Sequence, residues 1–284
     1  MSILGVVPVQ VRYFTDPACP WSWAAEPAVR RLMVEFGDSL SWSWVMVGLS
    51  REIPQDTRGT ALHWLGVADQ SRMPIDPLLW KDSPIRSSYP ACMAVKAAAE
   101  QAGAHDGGYL RVVREGLMCR RRKLDTTEAL VEASREAGLD VERFRIDLGS
   151  HAIVEAFGAD LEESRANLDE AREQGEVVDS DGHERVSIPT MVFEGEDGSR
   201  HGAYGVTSYD DLRAAALAAG AQPPGGEPPG VTDALRRFGR MATREVEEVC
   251  GLPEPRAQAE LWRLAAEWKV RPTRVLTGQL WELA

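Results

Sequence analysis

Tyr13-Phe14-Thr15-Asp16-Pro17-Ala18-Cys19-Pro20-Trp21-Ser22-Trp23 decides how the rest of the chain is read. Just before it, Val9, Val11 and Tyr13 alternate with Gln10 and Arg12, the period-two pattern of a strand. The strand runs straight into a turn that carries Cys19. Pro20 suits the first turn of a helix, where its missing N–H leaves no hydrogen bond unmade. Ala28, Leu32 and Phe36 then fall on one helical stripe, with Pro27 in the first turn or kinking it, and Gly37-Asp38-Ser39 stops it. A sulfur at such a helix start faces unpaired N–H groups and the positive end of the dipole. Sites of this kind bring a cysteine from a pKa of about 8.5 to roughly 3.5–7.5. Cys19 is therefore expected to be an activated nucleophile, with Trp21 and Trp23 as an apolar rim; the competing reading is an inert turn cysteine.

Working outward, Leu40 to Leu49 reads as a second strand and Arg51 to Pro84 as irregular, interrupted by Pro54, Pro74, Pro77 and Pro84. From Ser87 to about Gly175 the pattern is helical. Ser88 is placed as an N-cap ahead of Pro90, and Cys92, Val95, Ala99 and Ala102 recur at helical spacing. Val186 to Phe193 reads as a late strand, Glu196-Asp197-Gly198 as a turn, Ser199 to Val206 as the hairpin partner and Ser208 to Ala219 as a helix. The order is βαβ, a helical insert at about 58–178, then ββα. Residues 220–230 hold four Pro and four Gly, a linker. Beyond it, 231–284 reads as helices at Thr232 to Met241, Thr243 to Val249 and Arg256 to Glu267 closed by a Val270 to Leu283 ribbon, resembling a winged helix-turn-helix. The expected division is 1–220, a linker at 221–230, and 231–284.

Composition narrows the function classes. The 284 residues carry a net charge of −12 and 44% apolar residues, enough for a sizeable core. That charge argues against nucleic acid or anionic membrane as a partner. The four cysteines, Cys19, Cys92, Cys119 and Cys250, form no close pair, so no disulfide framework is expected. No basic segment with a long apolar run opens the chain, and no stretch approaches ~20 apolar residues, so a cytoplasmic protein without membrane contact is expected. His63, His105, His151, His183 and His201 are scattered, so no metal is expected. Asp179-Ser180-Asp181-Gly182 reads as a plain turn rather than a calcium loop.

Four stretches together resemble the DsbA-like thioredoxin family, in particular its cytoplasmic FrnE-like branch: Asp16 to Trp23; Ser88-Tyr89-Pro90-Ala91; Leu124-Asp125-Thr126-Thr127 with Glu136 to Asp140; and Val186-Ser187-Ile188-Pro189-Thr190. They span residues 1–220 and leave the C-terminal module outside. The resemblance implies an α/β thioredoxin fold with a large helical insertion and thiol–disulfide chemistry on Cys19. It also implies that Pro189 is cis and faces that cysteine, and that Ile188, Pro189, Pro20 and Trp21 contact substrate.

Ser22 departs from the family's Cys-x-x-Cys. In a dithiol cycle the first cysteine attacks a disulfide and the second resolves the mixed disulfide, which a serine cannot do. Three outcomes are open. Cys19 works with an external low-molecular-weight thiol as co-substrate, no cofactor being bound. Another cysteine resolves, with Cys119 the candidate because Arg120-Arg121-Arg122-Lys123 follows it. Or the site binds without turnover. The leading expectation is a thiol–disulfide oxidoreductase or disulfide isomerase acting through Cys19 and Ser22 on a disulfide-containing protein or small thiol. The alternatives are a non-catalytic adaptor, with a protein partner on the C-terminal module, and a glutathione transferase- or isomerase-like activity on a small molecule. Nine Lys/Arg against eight Asp/Glu in 231–284, with Glu245, Glu247 and Glu248 on its second helix, favour packing or a protein partner over DNA.

Overall fold

The computed structural model describes residues 7–53, 56–101 and 107–284; Pro54, Ala102 and His105 lie outside them. The alternating run forms β1 (Val9–Thr15), which leads into α1 (Pro20–Ala24) and α2 (Glu26–Phe36), then β2 (Leu40–Met46). Eight helices follow among the described residues: α3 (Thr57–Ser71), α4 (Leu79–Asp82), α5 (Tyr89–Ala99), α6 (Gly108–Cys119), α7 (Thr127–Glu136), α8 (Val141–Leu148), α9 (His151–Arg165) and α10 (Asp169–Glu173). The chain returns to strands with β3 (Val177–Ser180), β4 (His183–Val186), β5 (Thr190–Glu194) and β6 (Arg200–Ala203), and closes the first region with α11 (Tyr209–Ala218). The C-terminal region is α12 (Val231–Phe238), β7 (Met241–Ala242), α13 (Thr243–Val249), α14 (Arg256–Ala266), β8 (Val270–Val275) and β9 (Gly278–Leu283).

The main sheet has the order β2-β1-β5-β6. β1 runs parallel to β2 and antiparallel to β5, with Tyr13 opposite both Trp44 and Met191. This is the α/β thioredoxin fold with a large helical insertion between β2 and the later strands. Both sheet faces are covered. Val9, Val11 and Tyr13 point to one face, where Val29, Leu32 and Phe36 of α2 and Leu212 and Ala216 of α11 bury them. Phe14, Val45 and Val192 point to the other, against Leu168 and Ala171 beside α10. Full burial of a Leu or Phe side chain contributes about 1.5–3 kcal/mol, so the Leu32 and Phe36 stripe is what fastens α2 under the sheet.

The structure departs from the sequence expectations in four places. Arg51 to Pro84 is not irregular throughout: α3 lies within it, started by Asp56, whose Oδ1 accepts from the Gly59 N–H at 2.9 Å. The second strand stops at Met46 because the chain turns at Gly48, with φ +60 and the Tyr89 ring 2.8 Å from where a Cβ would stand. Val186 to Phe193 is split: Val186 ends β4 in a separate hairpin with β3, and β5 starts only after Pro189, which has no N–H for a ladder. The first helix of the C-terminal region ends at Phe238, where Gly239 takes φ +67, and Met241 pairs with Trp281.

The C-terminal region is fastened to the rest. Ala242, Val275 and Leu280 join the insert's core, and the Thr277 hydroxyl both accepts from the Ile75 N–H at 2.7 Å and donates to the Ile75 carbonyl at 3.0 Å.

Candidate functional site

Cys19 caps α1, with Pro20 as the first helical residue and the Ser22 N–H donating to Sγ at 3.4 Å. The thiol faces the Ile188 carbonyl at 4.0 Å, and the Ile188–Pro189 bond is cis. The turn, the helix start and the loop before β5 therefore converge on one sulfur.

Burial works against activation of that sulfur. Cys19 is only 3% exposed. Burial pushes its thiol up, with the Asp16 carboxylate adding to the rise, while Ser22 acts the other way without cancelling them. Desolvation disfavours the charged form, and α1 is five residues long, a small source of dipole. The expectation of a lowered pKa is corrected accordingly. Alkylation of Cys19 by iodoacetamide, followed by peptide mass spectrometry, should be slower at pH 7 than in the urea-unfolded chain. Its rate should climb only above the ordinary thiol pKa of about 8.5. A midpoint below about 8 would refute this account of the site.

Ser22 is fully buried and its Oγ has no hydrogen-bond partner. The residue that organises the turn is Asp16, itself fully buried. Its Oδ1 accepts from the Ala18 N–H at 2.7 Å; its Oδ2 accepts from the Leu49 N–H at 2.7 Å, the Ser88 hydroxyl at 2.8 Å and the Cys92 thiol at 3.2 Å. This ties the Cys19 turn to the end of β2 and to α5. Burial nevertheless raises the Asp16 carboxyl. Ser88 makes no side-chain cap to α5; its hydroxyl is spent on Asp16. The sequence motif contained Asp16, but an acid before Pro17 gives no sign of burial.

Cys19, Pro20, Trp21 and Ile188 line a cavity of about 310 Å³ together with Trp64, Trp80 and Arg185. Pro189 does not; with Trp21 it lines a second cleft of about 700 Å³, whose far wall is Arg244, Glu247 and Pro253 of the C-terminal region. Trp21 thus separates the thiol cavity from a cleft shared by the two regions. Cys119 lines neither. Its buried thiol donates to the Pro74 carbonyl at 3.2 Å, and burial pushes its pKa well up. The structure does not bring it to Cys19. Cys92 and Cys250 are buried as well. The basic run after Cys119 is spent on ion pairs: Arg120 and Arg122 on Glu136, Arg121 on Asp76 and Asp82, Lys123 on Asp125. Among the described residues no cluster of His, Cys, Asp and Glu is arranged to hold a metal ion.

The acidic face of α13 also has a definite use. Glu245 is fully buried and receives both Arg111 Nη atoms, at 2.8 and 2.9 Å, and Arg30 Nε at 3.1 Å. Glu247 pairs with Arg72 and Arg244, and Glu248 with Arg31 at 2.9 Å. Arg263 and Arg271 pair with Glu260 and Glu282.

The family profile described as Thioredoxin matches residues 13–167. The chain belongs to this thioredoxin family. Its fold is DsbA-like. Similar solved structures include a candidate protein disulfide isomerase from Nitrosomonas europaea (TM-score 0.61, 17% identity, covering 75% of this chain and 97% of that one) and the cytosolic disulfide reductase DsbM from Pseudomonas aeruginosa (TM-score 0.56, 21% identity, 72% and 95%). At these identities the likeness is one of fold. Among curated proteins, the chain is similar to the ClpXP adapter protein SpxH of Halalkalibacterium halodurans (26% identity over 96% of this chain and 88% of that protein). It is similar to the same-named protein of Bacillus subtilis at 26% identity, over 97% and 89%. The likeness to these adapters extends through the C-terminal region, which the family profile does not cover. No helix among the described residues is long and apolar enough to cross a membrane.

Proposed function

We propose that this thioredoxin-family chain is a cytoplasmic protein adaptor that delivers a partner to a ClpXP-type protease and does not turn over disulfides. One observation carries the reading: the redox site is incomplete, with Cys19 buried and its thiol pushed up, and Ser22 where the resolving thiol would stand. Two further facts support it. The relatives that match nearly the whole chain are named as adapters. The cleft of about 700 Å³ between Pro189 and α13 offers a docking space built by both regions.

The competing reading is a monothiol oxidoreductase using an external small thiol, favoured by the convergence of Cys19 and the cis Ile188–Pro189 bond. Two measurements on the full chain separate them. Binding to purified ClpX should be saturable and unchanged in Cys19→Ser. Reduction of an insulin or mixed-disulfide substrate by glutathione should run no faster with the chain than without it. Thiol-dependent turnover by the wild type that disappears in Cys19→Ser, without ClpX binding, would replace the adaptor with the enzyme.

A further inference from the structure

The cavity beside Cys19 contains a charge that the fold leaves unanswered. Arg185 on β4 is 5% exposed and lines that cavity. Its Nη1 donates to the Val186 carbonyl at 2.8 Å, while its Nε–H has no acceptor. Among the described residues no carboxylate forms an ion pair with it. Asp16 is the acidic group whose charge acts on it most, yet the Asp16 oxygens are taken up by Ala18, Leu49, Ser88 and Cys92. The result contrasts with Arg30, Arg111 and Arg114, whose buried guanidinium groups all reach carboxylates. A buried cation without a counter-charge is costly, and burial lowers the Arg185 pKa. On the same cavity wall the Trp80 Nε1–H also lacks an acceptor. The rest of the lining is mainly apolar, with Trp21, Trp64, Ile53 and Val178.

We propose that this cavity is a binding site for a small organic carboxylate with an apolar body, the anionic group resting on the Arg185 guanidinium and the body against Trp21 and Trp80. Its volume of about 310 Å³ lies at the small end of ligand sites. At the ~30 Å³ that a water molecule occupies in the liquid, it holds about ten non-hydrogen atoms. That is an aryl or medium-chain carboxylate rather than a length of peptide. Cys19 forms part of the same lining, so an occupant covers the thiol. The inference is independent of the adaptor reading, because the docking cleft lies on the other side of Trp21.

The test titrates the full chain with phenylacetate, octanoate and the neutral isostere phenylacetamide, by calorimetry and by the rate of Cys19 alkylation. Both carboxylates should bind saturably and slow alkylation. The amide should bind about tenfold or more weakly, as expected when one charge-assisted hydrogen bond is lost. Arg185→Met should weaken carboxylate binding by a similar factor. Val178→Trp, which fills the cavity from a half-exposed position and keeps the arginine, should block binding with the melting temperature preserved and ClpX binding unaltered. Equal affinity for acid and amide, binding that survives both variants, or no saturable binding at millimolar concentration would overturn the proposal. The last result would leave the cavity to a side chain of the protein partner.

Discussion

Ser22→Cys is expected to let Cys19 close an intrachain disulfide on mild oxidation, because the resolving thiol of the dithiol cycle then stands beside it. The geometry is already in place. The Ser22 N–H donates to Cys19 Sγ at 3.4 Å, so the two residues sit on one turn of α1. Helical neighbours three apart hold their Cβ atoms about 5–6 Å apart, so a disulfide, with Cβ atoms about 3.5–4.5 Å apart, asks for a small backbone shift at the Cys19 cap. The substitution also breaks no hydrogen bond, since Ser22 Oγ makes none. A thiol placed there removes a buried orphan hydroxyl, and destabilisation should be small. Mass spectrometry of the oxidised variant would show loss of two hydrogens, localised to the peptide that carries Cys19 and the introduced thiol. Failure to form that disulfide under mild oxidation would mean that the Cys19 site is not the family's redox scaffold with one thiol removed.

Glu245→Leu should cost roughly 3–5 kcal/mol of folding stability, the range found when one partner of a buried ion pair is removed. Three buried guanidinium groups, Arg30, Arg111 and Arg114, are balanced here by Glu26, Glu115 and Glu245. The leucine takes away the paired contacts to Arg111, the contact to Arg30 and the carboxylate that accepts from the Ala242 N–H at 2.6 Å. Because Glu245 lies on α13, Arg30 on α2 and Arg111 on α6, the loss should loosen the C-terminal region from the thioredoxin domain first. Urea unfolding followed by Trp fluorescence should show a lower midpoint, and limited proteolysis should cut earlier within residues 221–230. Stability within about 1 kcal/mol of the wild type would show that apolar packing, not this network, fastens the region. The network also carries a pH dependence. Burial alone would raise the Glu26 carboxyl, but Arg114, Arg111 and Arg30 more than offset it and hold it below the usual range. A depressed carboxylate contributes stability above its unfolded pKa and loses it as pH falls through its folded pKa, so acid should weaken the hold of Glu26 between α2 and α6.

These two residues are not equally visible in the sequence. Ser22 stands out because the family's motif has cysteine there, and the order βαβ, helical insert, ββα follows from local periodicity and punctuation. The period-two run at Val9–Tyr13, the stripe at Ala28, Leu32 and Phe36, and the Pro/Gly stretch before Val231 all encode structure within a few residues of themselves. Glu245 reads there only as an acidic residue that discourages DNA. Its partner Arg111 lies 134 residues away, and no local pattern pairs charges over that distance.

By itself, then, the sequence determined the thioredoxin fold, the place of Cys19 at a helix start and the absence of a resolving thiol at Ser22, because each depends on neighbours in the chain. Only the tertiary structure decided whether that cysteine is reactive. Ile188, Trp64 and Trp80, brought from distant parts of the chain, line one cavity with Cys19, and burial of the thiol there raises it despite the helix start that the sequence placed behind it. The same packing leaves Arg185 buried without a counter-charge beside it.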